Sequence, residues 1–215
     1  NTAFFAAGTN AVGSYTVTVD GTREIGGLTF EEGNVTLSGG TGLKLFSDTV
    51  IEVASGGQTA TVATPIIEDG TPRALTKSGP GTLVLAASNS YSGVMTVFAG
   101  TAQAETSGAV RGASIAIEDG ATLQATADGA INGGTVTVAS GAALELSHSN
   151  AVVQVPTTVL QNGSTLVRDT DITLRNLTLG YASEIFSGNA LNFVSGSTIS
   201  STAVTGGAIR FRCGI

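Results

Sequence analysis

The chain has 215 residues, with 16 acidic and 9 basic side chains, a net charge of −7 and a sequence pI near 4.5. Its Lys and Arg are scattered singly, so there is no basic footprint for nucleic acid, and the acidic balance discourages contact with anionic lipid. No run of about 18 apolar residues offers a membrane-spanning helix.

With 30 Gly, 31 Thr, no Trp and only 12% charged residues, the composition favours short strands and frequent turns over helices. In chain order, residues 1–27 hold no clear copy of any later segment and are read as an N-terminal coil, cap or arm. From residue 28 to 215 one pattern recurs: alternating apolar residues, one or two polar residues, a glycine, then a second short strand. LTFEEGNVTLSG (Leu28–Gly39) is a weak copy, and TVIEVASGGQTATV (Thr49–Val62) is a clear one. LTKSGPGTLVLAASNSYSGVMTVFAGTAQA (Leu75–Ala104) holds the strand-like runs TLVL and MTVF. ASIAIEDGATLQAT (Ala113–Thr126), GTVTVASGAALELS (Gly134–Ser147) and TTVLQNGSTLVRD (Thr157–Asp169) come next. LNFVSGSTISST (Leu191–Thr202) is again weak.

The marker glycines Gly33, Gly56, Gly81, Gly100, Gly120, Gly141, Gly163 and Gly196 are 23, 25, 19, 20, 21, 22 and 33 residues apart. The last gap breaks the period, and Gly180 is the expected marker of part of a coil inside it. An antiparallel sandwich also has short strands and regular turns, but it does not need successive segments to resemble one another. A parallel β-solenoid does, because each coil of about 20 residues stacks on a near copy of itself. The expected fold is therefore all-β, a single elongated solenoid over 28–215. Val, Leu and Ile lie inside it and Thr, Ser and Asn outside, with about ten coils rising roughly 4.8 Å each.

Residues 75–102 also resemble the passenger-associated transport repeat, known too as the autotransporter-associated β-strand repeat. The resemblance rests on Leu75-Thr76-Lys77, Gly79, Gly81-Thr82-Leu83, Leu85, Asn89, Tyr91, Gly93, Thr96-Val97 and Gly100-Thr101. Val94-Met95 replace a small or polar pair, and Ala102 replaces the usual Leu. The resemblance implies a right-handed parallel β-helix exported to a bacterial surface or its surroundings. It also implies a structural or adhesive role, since the repeat is not a catalytic motif. Complete autotransporters add a C-terminal outer-membrane barrel, and none is evident before Ile215. A released or truncated passenger, or a free-standing secreted relative, is expected.

An enzyme remains the rival, because polysaccharide lyases and hydrolases also use parallel β-helices and cluster carboxylates for acid–base work or Ca²⁺. The candidates are Glu31-Glu32, Glu68-Asp69, Glu118-Asp119 and Asp169 with Asp171. The paired EDG strings read as solvated turns, and Asp169 and Asp171 lack an obvious third ligand. His148, the only histidine, sits in a polar string, and Cys213, the only cysteine, is expected to be buried or indifferent. Tyr15, Tyr91 and Tyr181 are too few for a sugar-stacking row, and Tyr91 is expected to pack. No cofactor and no metal is expected.

The reading is thus a non-enzymatic, secreted or cell-surface rod, spacer or adhesive element. Its expected partner is itself: open solenoid ends invite another chain. Phe4 and Phe5 at one terminus, with Ile209 and Phe211 at the other, are the expected contacts. The alternatives are the passenger stalk of an autotransporter adhesin and a carbohydrate-active β-helix enzyme.

Overall fold

The computed structural model describes residues 2–6, 13–147, 157–168, 172–174, 176–187, 191–193, 197–201 and 210–213. Among these residues there is no helix, and every strand pairing is parallel. The chain forms a parallel β-solenoid, as the repeat predicts.

The strands alternate between two long sheets. The first sheet runs Thr2–Phe5, Thr22–Phe30, Gly42–Val53, Leu75–Ser78, Met95–Val97, Ser114–Ile117, Thr135–Val138, Thr158–Leu160, Leu177–Leu179 and Ile199–Ser201. The second runs Ser14–Val19, Asn34–Gly39, Thr59–Val62, Thr82–Leu85, Thr101–Ala104, Thr122–Ala125, Ala143–Leu146, Thr165–Arg168, Glu184–Ser187 and Arg210–Cys213. Neighbours in each sheet are consecutive coils, so each coil bonds only to the one before and the one after.

Register makes the columns explicit. Leu28, Ile51, Lys77, Val97, Ile117, Val138, Leu160, Leu179 and Ser201 are successive Cα partners, spaced by 23, 26, 20, 20, 21, 22, 19 and 22 residues. In the second sheet Val35, Ala60, Leu83, Ala102, Leu123, Leu144, Leu166 and Ile185 align in the same way. Apart from Lys77 and Ser201, these residues form one continuous apolar core. Alternation with period two puts every second residue of a strand into that core. The strand Thr135–Val138, for example, alternates half-buried Thr with buried Val. Ala102 sits between Leu83 and Leu123 and Met95 between Leu75 and Ile115, so these two departures from the repeat are packing positions, whereas Val94 beside Met95 is exposed.

The sequence suggests two strands per coil, but the coils have a third side. Thr22–Phe30 and Gly42–Val53 each bend through two faces. Residues 22–25 pair with 42–45, and 43–45 pair with Ile66–Glu68. Between these parts the register slips, with the four residues 46–49 opposite Gly26 alone. Further along, the third side continues by single bonds: Ser90 N–H to the Ile66 carbonyl, Val110 N–H to Ala130 and Asn132 N–H to Val110. It becomes a strand pair again at Ile172–Leu174 and Leu191–Phe193. This side has no steady alternation, so the pattern that reveals the other two does not mark it.

The corner glycines are also offset from their expected places. Gly33, Gly100, Gly120, Gly141 and Gly163 have φ near +70°, but in the coil of Leu75 the left-handed residue is Gly79, not Gly81. In the coil of Leu177 it is Ala182, at φ 53°, and Gly180 falls at the position of Gln161. Gly196 lies outside the described residues. Ala182 is exposed, so its left-handed backbone is a cost without a packing return. Replacing Ala182 with Gly should therefore raise stability by about 1 kcal/mol, since an L residue in that region costs roughly 1–2 kcal/mol. A higher denaturant midpoint with unchanged slope checks it.

Candidate functional site

In the repeat at Leu75–Ala104 two polar side chains, Lys77 and Asn89, enter the stack, as Gln58 and Thr64 do just before it. Lys77 stands in an inward position between Ile51 and Val97 and is fully buried. Its stem takes the place of an aliphatic side chain. Its Nζ reaches the corner and donates to the carbonyls of Ser78 at 2.9 Å, Gly79 at 2.8 Å and Ala99 at 2.9 Å. These carbonyls belong to successive corners, so one amino group ties two coils together. Burial lowers the Lys77 pKa to about 8, against the opposing pull of the Glu52 carboxylate. Gly79 is required beside it: its φ is +75°, and a Cβ there would collide with the Val53 carbonyl.

Asn89 performs the corresponding task on the third side. It is buried, its Oδ1 accepts from Ile66 N–H at 2.7 Å, and its Nδ2 donates to the Ala109 carbonyl at 2.5 Å. Its own N–H donates to the Gly108 carbonyl at 3.0 Å. The side chain thus satisfies backbone groups of the coil before and the coil after, where no regular ladder does so. Tyr91 is buried as expected, and its Oη accepts from Arg111 N–H at 3.3 Å. Burial pushes its phenol well above the usual range. Gly93 is bare because a Cβ would strike the Arg73 carbonyl.

The sequence candidates for chemistry do not gather. Glu31 is exposed and Glu32 half-buried. Glu68 is structural: its Oε1 accepts from the Ser92 hydroxyl at 2.6 Å, and its Oε2 accepts from Ser92 N–H at 3.0 Å and Arg73 N–H at 3.3 Å. Asp69 is exposed and accepts from Thr71 N–H at 3.1 Å, which holds its carboxyl below the usual range. Glu118 and Asp119 sit exposed in a turn. Asp169, Asp171 and His148 lie outside the described residues. Cys213 ends the strand Arg210–Cys213, opposite Ser187. Among the described residues, no three His, Cys, Asp or Glu side chains come together as metal ligands would. The tyrosines form no row: Tyr15 is half-buried near the first coil, Tyr91 is internal, and Tyr181 is exposed beside Ala182.

The ends of the stack are more informative. Phe5 stacks on Phe30 with ring centroids 4.8 Å apart, while Phe4 is 66% exposed. Ile209 lies outside the described residues. Phe211 follows Ile185 in the register of the second sheet, in the column that Val35 and Tyr15 share at the other end. Sequence reading missed Ile199. It follows Leu177 in a first-sheet column whose earlier members, including Leu75, Met95, Ile115 and Val136, are buried, yet Ile199 is 58% exposed. Its position in the weak last copy was the available signal.

Residues 75–101 match the family model of the passenger-associated transport repeat. Comparisons with curated proteins and with solved structures return no match. The matched segment contains Lys77, Asn89 and Tyr91, whose side chains bridge neighbouring coils, and the closely packed Gly79 and Gly93.

Both polar ties have measurable consequences. Asn89→Ala strands Ile66 N–H and the Ala109 carbonyl inside the protein, at about 1–3 kcal/mol for each group. It should lower unfolding free energy by at least about 2 kcal/mol in chemical denaturation. Lys77 has a folded pKa near 8 against 10.5 unfolded. Between those values the unfolded chain holds a proton that the folded chain has released. The cost of burying the Lys77 charge is therefore present in full below about pH 8 and falls away as pH rises to 10.5. The stability of the protein relative to Lys77→Met should grow by up to about 3 kcal/mol from pH 8 to 10.5, at about 1.4 kcal/mol per unit, read from paired melts.

Proposed function

We propose that the chain is a non-enzymatic structural β-solenoid, displayed on or released from a bacterial surface, that serves as a rod or spacer. Its coils stack end to end with those of a second copy. The observation that carries the reading is the continuous coil-to-coil pairing of the two sheets, which reaches Ile199, itself 58% exposed at the end of a buried column. An aliphatic side chain at an inward position gains free energy when a parallel neighbour covers it. The strand Thr2–Phe5 of a second copy supplies such a neighbour, with Ala3 in the register column that ends at Ser201. The match to a repeat of passenger regions supports the surface location.

A second reading is favoured by that same match: further coils of a longer passenger cover Ile199. Coding sequence beyond Ile215 separates the two, because a continuing solenoid followed by an outer-membrane barrel makes the chain a stalk.

Electron microscopy and sedimentation of the purified chain test the stacking. Particles should lengthen with concentration at constant width, and Ile199→Lys should hold them at single length without lowering β-sheet circular dichroism. Particles that stay monomeric at high concentration rule stacking out. Cleavage of an acidic polysaccharide, with or without Ca²⁺, overturns the non-enzymatic reading.

A further inference from the structure

A cleft of about 450 Å³ opens on the third side of the solenoid, lined among others by Ser90, Ser92, Arg111, Gly112, Asn132 and Gly133. That volume lies in the roughly 300–1,000 Å³ span of ligand clefts. The lining residues come from three consecutive coils, so the cleft runs along the axis of the stack.

Its polar side chains are only partly used. The Arg111 Nη1 donates to the Asn89 carbonyl at 3.3 Å, which fixes one edge of the guanidinium. No other hydrogen bond or ion pair engages that guanidinium among the described residues, and Ser90 Oγ and the Asn132 amide have no protein partner there. Ser92 is different, since its hydroxyl is committed to Glu68. The cleft therefore offers a hydroxyl, an amide and a cationic fork on a floor of glycine backbone. Arg is the residue whose planar fork matches a carboxylate bidentately.

The floor argues against a peptide. Strand addition needs free backbone groups, but Ser90 N–H is bonded to Ile66, Ala113 N–H to Ser92 and Gly93, Asn132 N–H to Val110, and Gly134 N–H to Gly112. Tyr91 lines the cleft but is 1% exposed, so its ring offers little apolar surface to an anchoring side chain. A hydroxyl-rich chain bearing a carboxylate uses each of the groups on offer.

We infer that this cleft is a binding site for an acidic saccharide, with Arg111 on its carboxylate and Ser90 and Asn132 on its hydroxyls. The site lies on the side of the rod, so it does not depend on whether copies stack.

The test uses the full chain and a panel of hexuronate oligomers and sialyllactose, each beside its methyl ester or neutral counterpart, read by calorimetry at low and moderate salt. At least one acidic member should bind at least about tenfold more tightly than its neutral form, the return expected of a charge-assisted hydrogen-bonded pair. The preference should weaken as salt rises. Arg111→Gln should abolish the preference. Ser90→Asp, an exposed substitution that leaves the stack intact, should remove binding by placing a like charge in the cleft. Failure of every acidic saccharide to bind overturns the inference, as does binding that is indifferent to the ester or unchanged in Ser90→Asp.

Discussion

Every other feature of this molecule depends on the parallel hydrogen bonding of one coil to the next. Because the strands of consecutive coils pair in register, like residues lie over like residues, and an inward Val or Leu meets another in the next coil about 4.8 Å away. The core is thus a set of columns one side chain wide. It has room for Val, Leu, Ile and Ala, with Phe30 and Tyr91 as large exceptions, which explains a chain without Trp. The surface ion pairs Arg23 with Asp20 and Lys44 with Glu24, the second with a half-buried lysine, contribute little to such a stack.

A column of near-identical aliphatic residues has a weakness: sliding one coil against its neighbours changes the apolar contacts very little. Polar residues inside the stack remove that freedom. Lys77 finds three carbonyl acceptors only when the corners of its own and the following coil are in place. Asn89 finds Ile66 N–H and the Ala109 carbonyl only when the coils on either side stand in the observed register. In any slipped arrangement a buried amine or amide goes without partners, at a cost greater than any single aliphatic contact would return. The repeat segment therefore fixes the register of the coils it joins, as Gln58 on the Gly33 carbonyl and Thr64 on the Gly39 carbonyl do for the coils before it.

The same physics decides what was legible in the sequence. The strands of the two long sheets show through because one face is buried and the other wet, as in TVTV at Thr135–Val138 and TLQA at Thr122–Ala125. The third side was invisible, since its strand pairs are confined to the first and last coils and the middle coils are held by single backbone bonds and by Asn89. Glycine marked the corners but only to within a residue or two. Gly81 is selected by close contact with Val53 and Ser55, while the left-handed backbone belongs to Gly79, and Ala182 tolerates that backbone with no glycine at all. Lys77 reads only as a motif letter, because nothing in a local pattern says that a lysine in a strand points inward. Arg111 carries no signal either, since its surroundings come from coils about twenty residues away on each side.

Function in such a frame must be carried by what the frame leaves free. The backbone ladders consume the donors and acceptors of the two long sheets, and their outward columns are dominated by short neutral side chains such as Thr59, Thr82, Thr101 and Thr122. Two kinds of place escape this uniformity. One is the open end, where Ile199 continues a column with nothing above it among the described residues. The other is the third side, where the loop at 69–73 is inserted, Glu68 ties it to the next coil, and the short segments beyond it leave a trough over Gly112 and Gly133. The end is apolar and periodic, so it suits a copy of the same coil. The trough presents the Arg111 guanidinium beside Ser90 and Asn132, so it suits a different kind of molecule. A solenoid keeps these two chemistries apart by construction, one at the end of its axis and one on its flank.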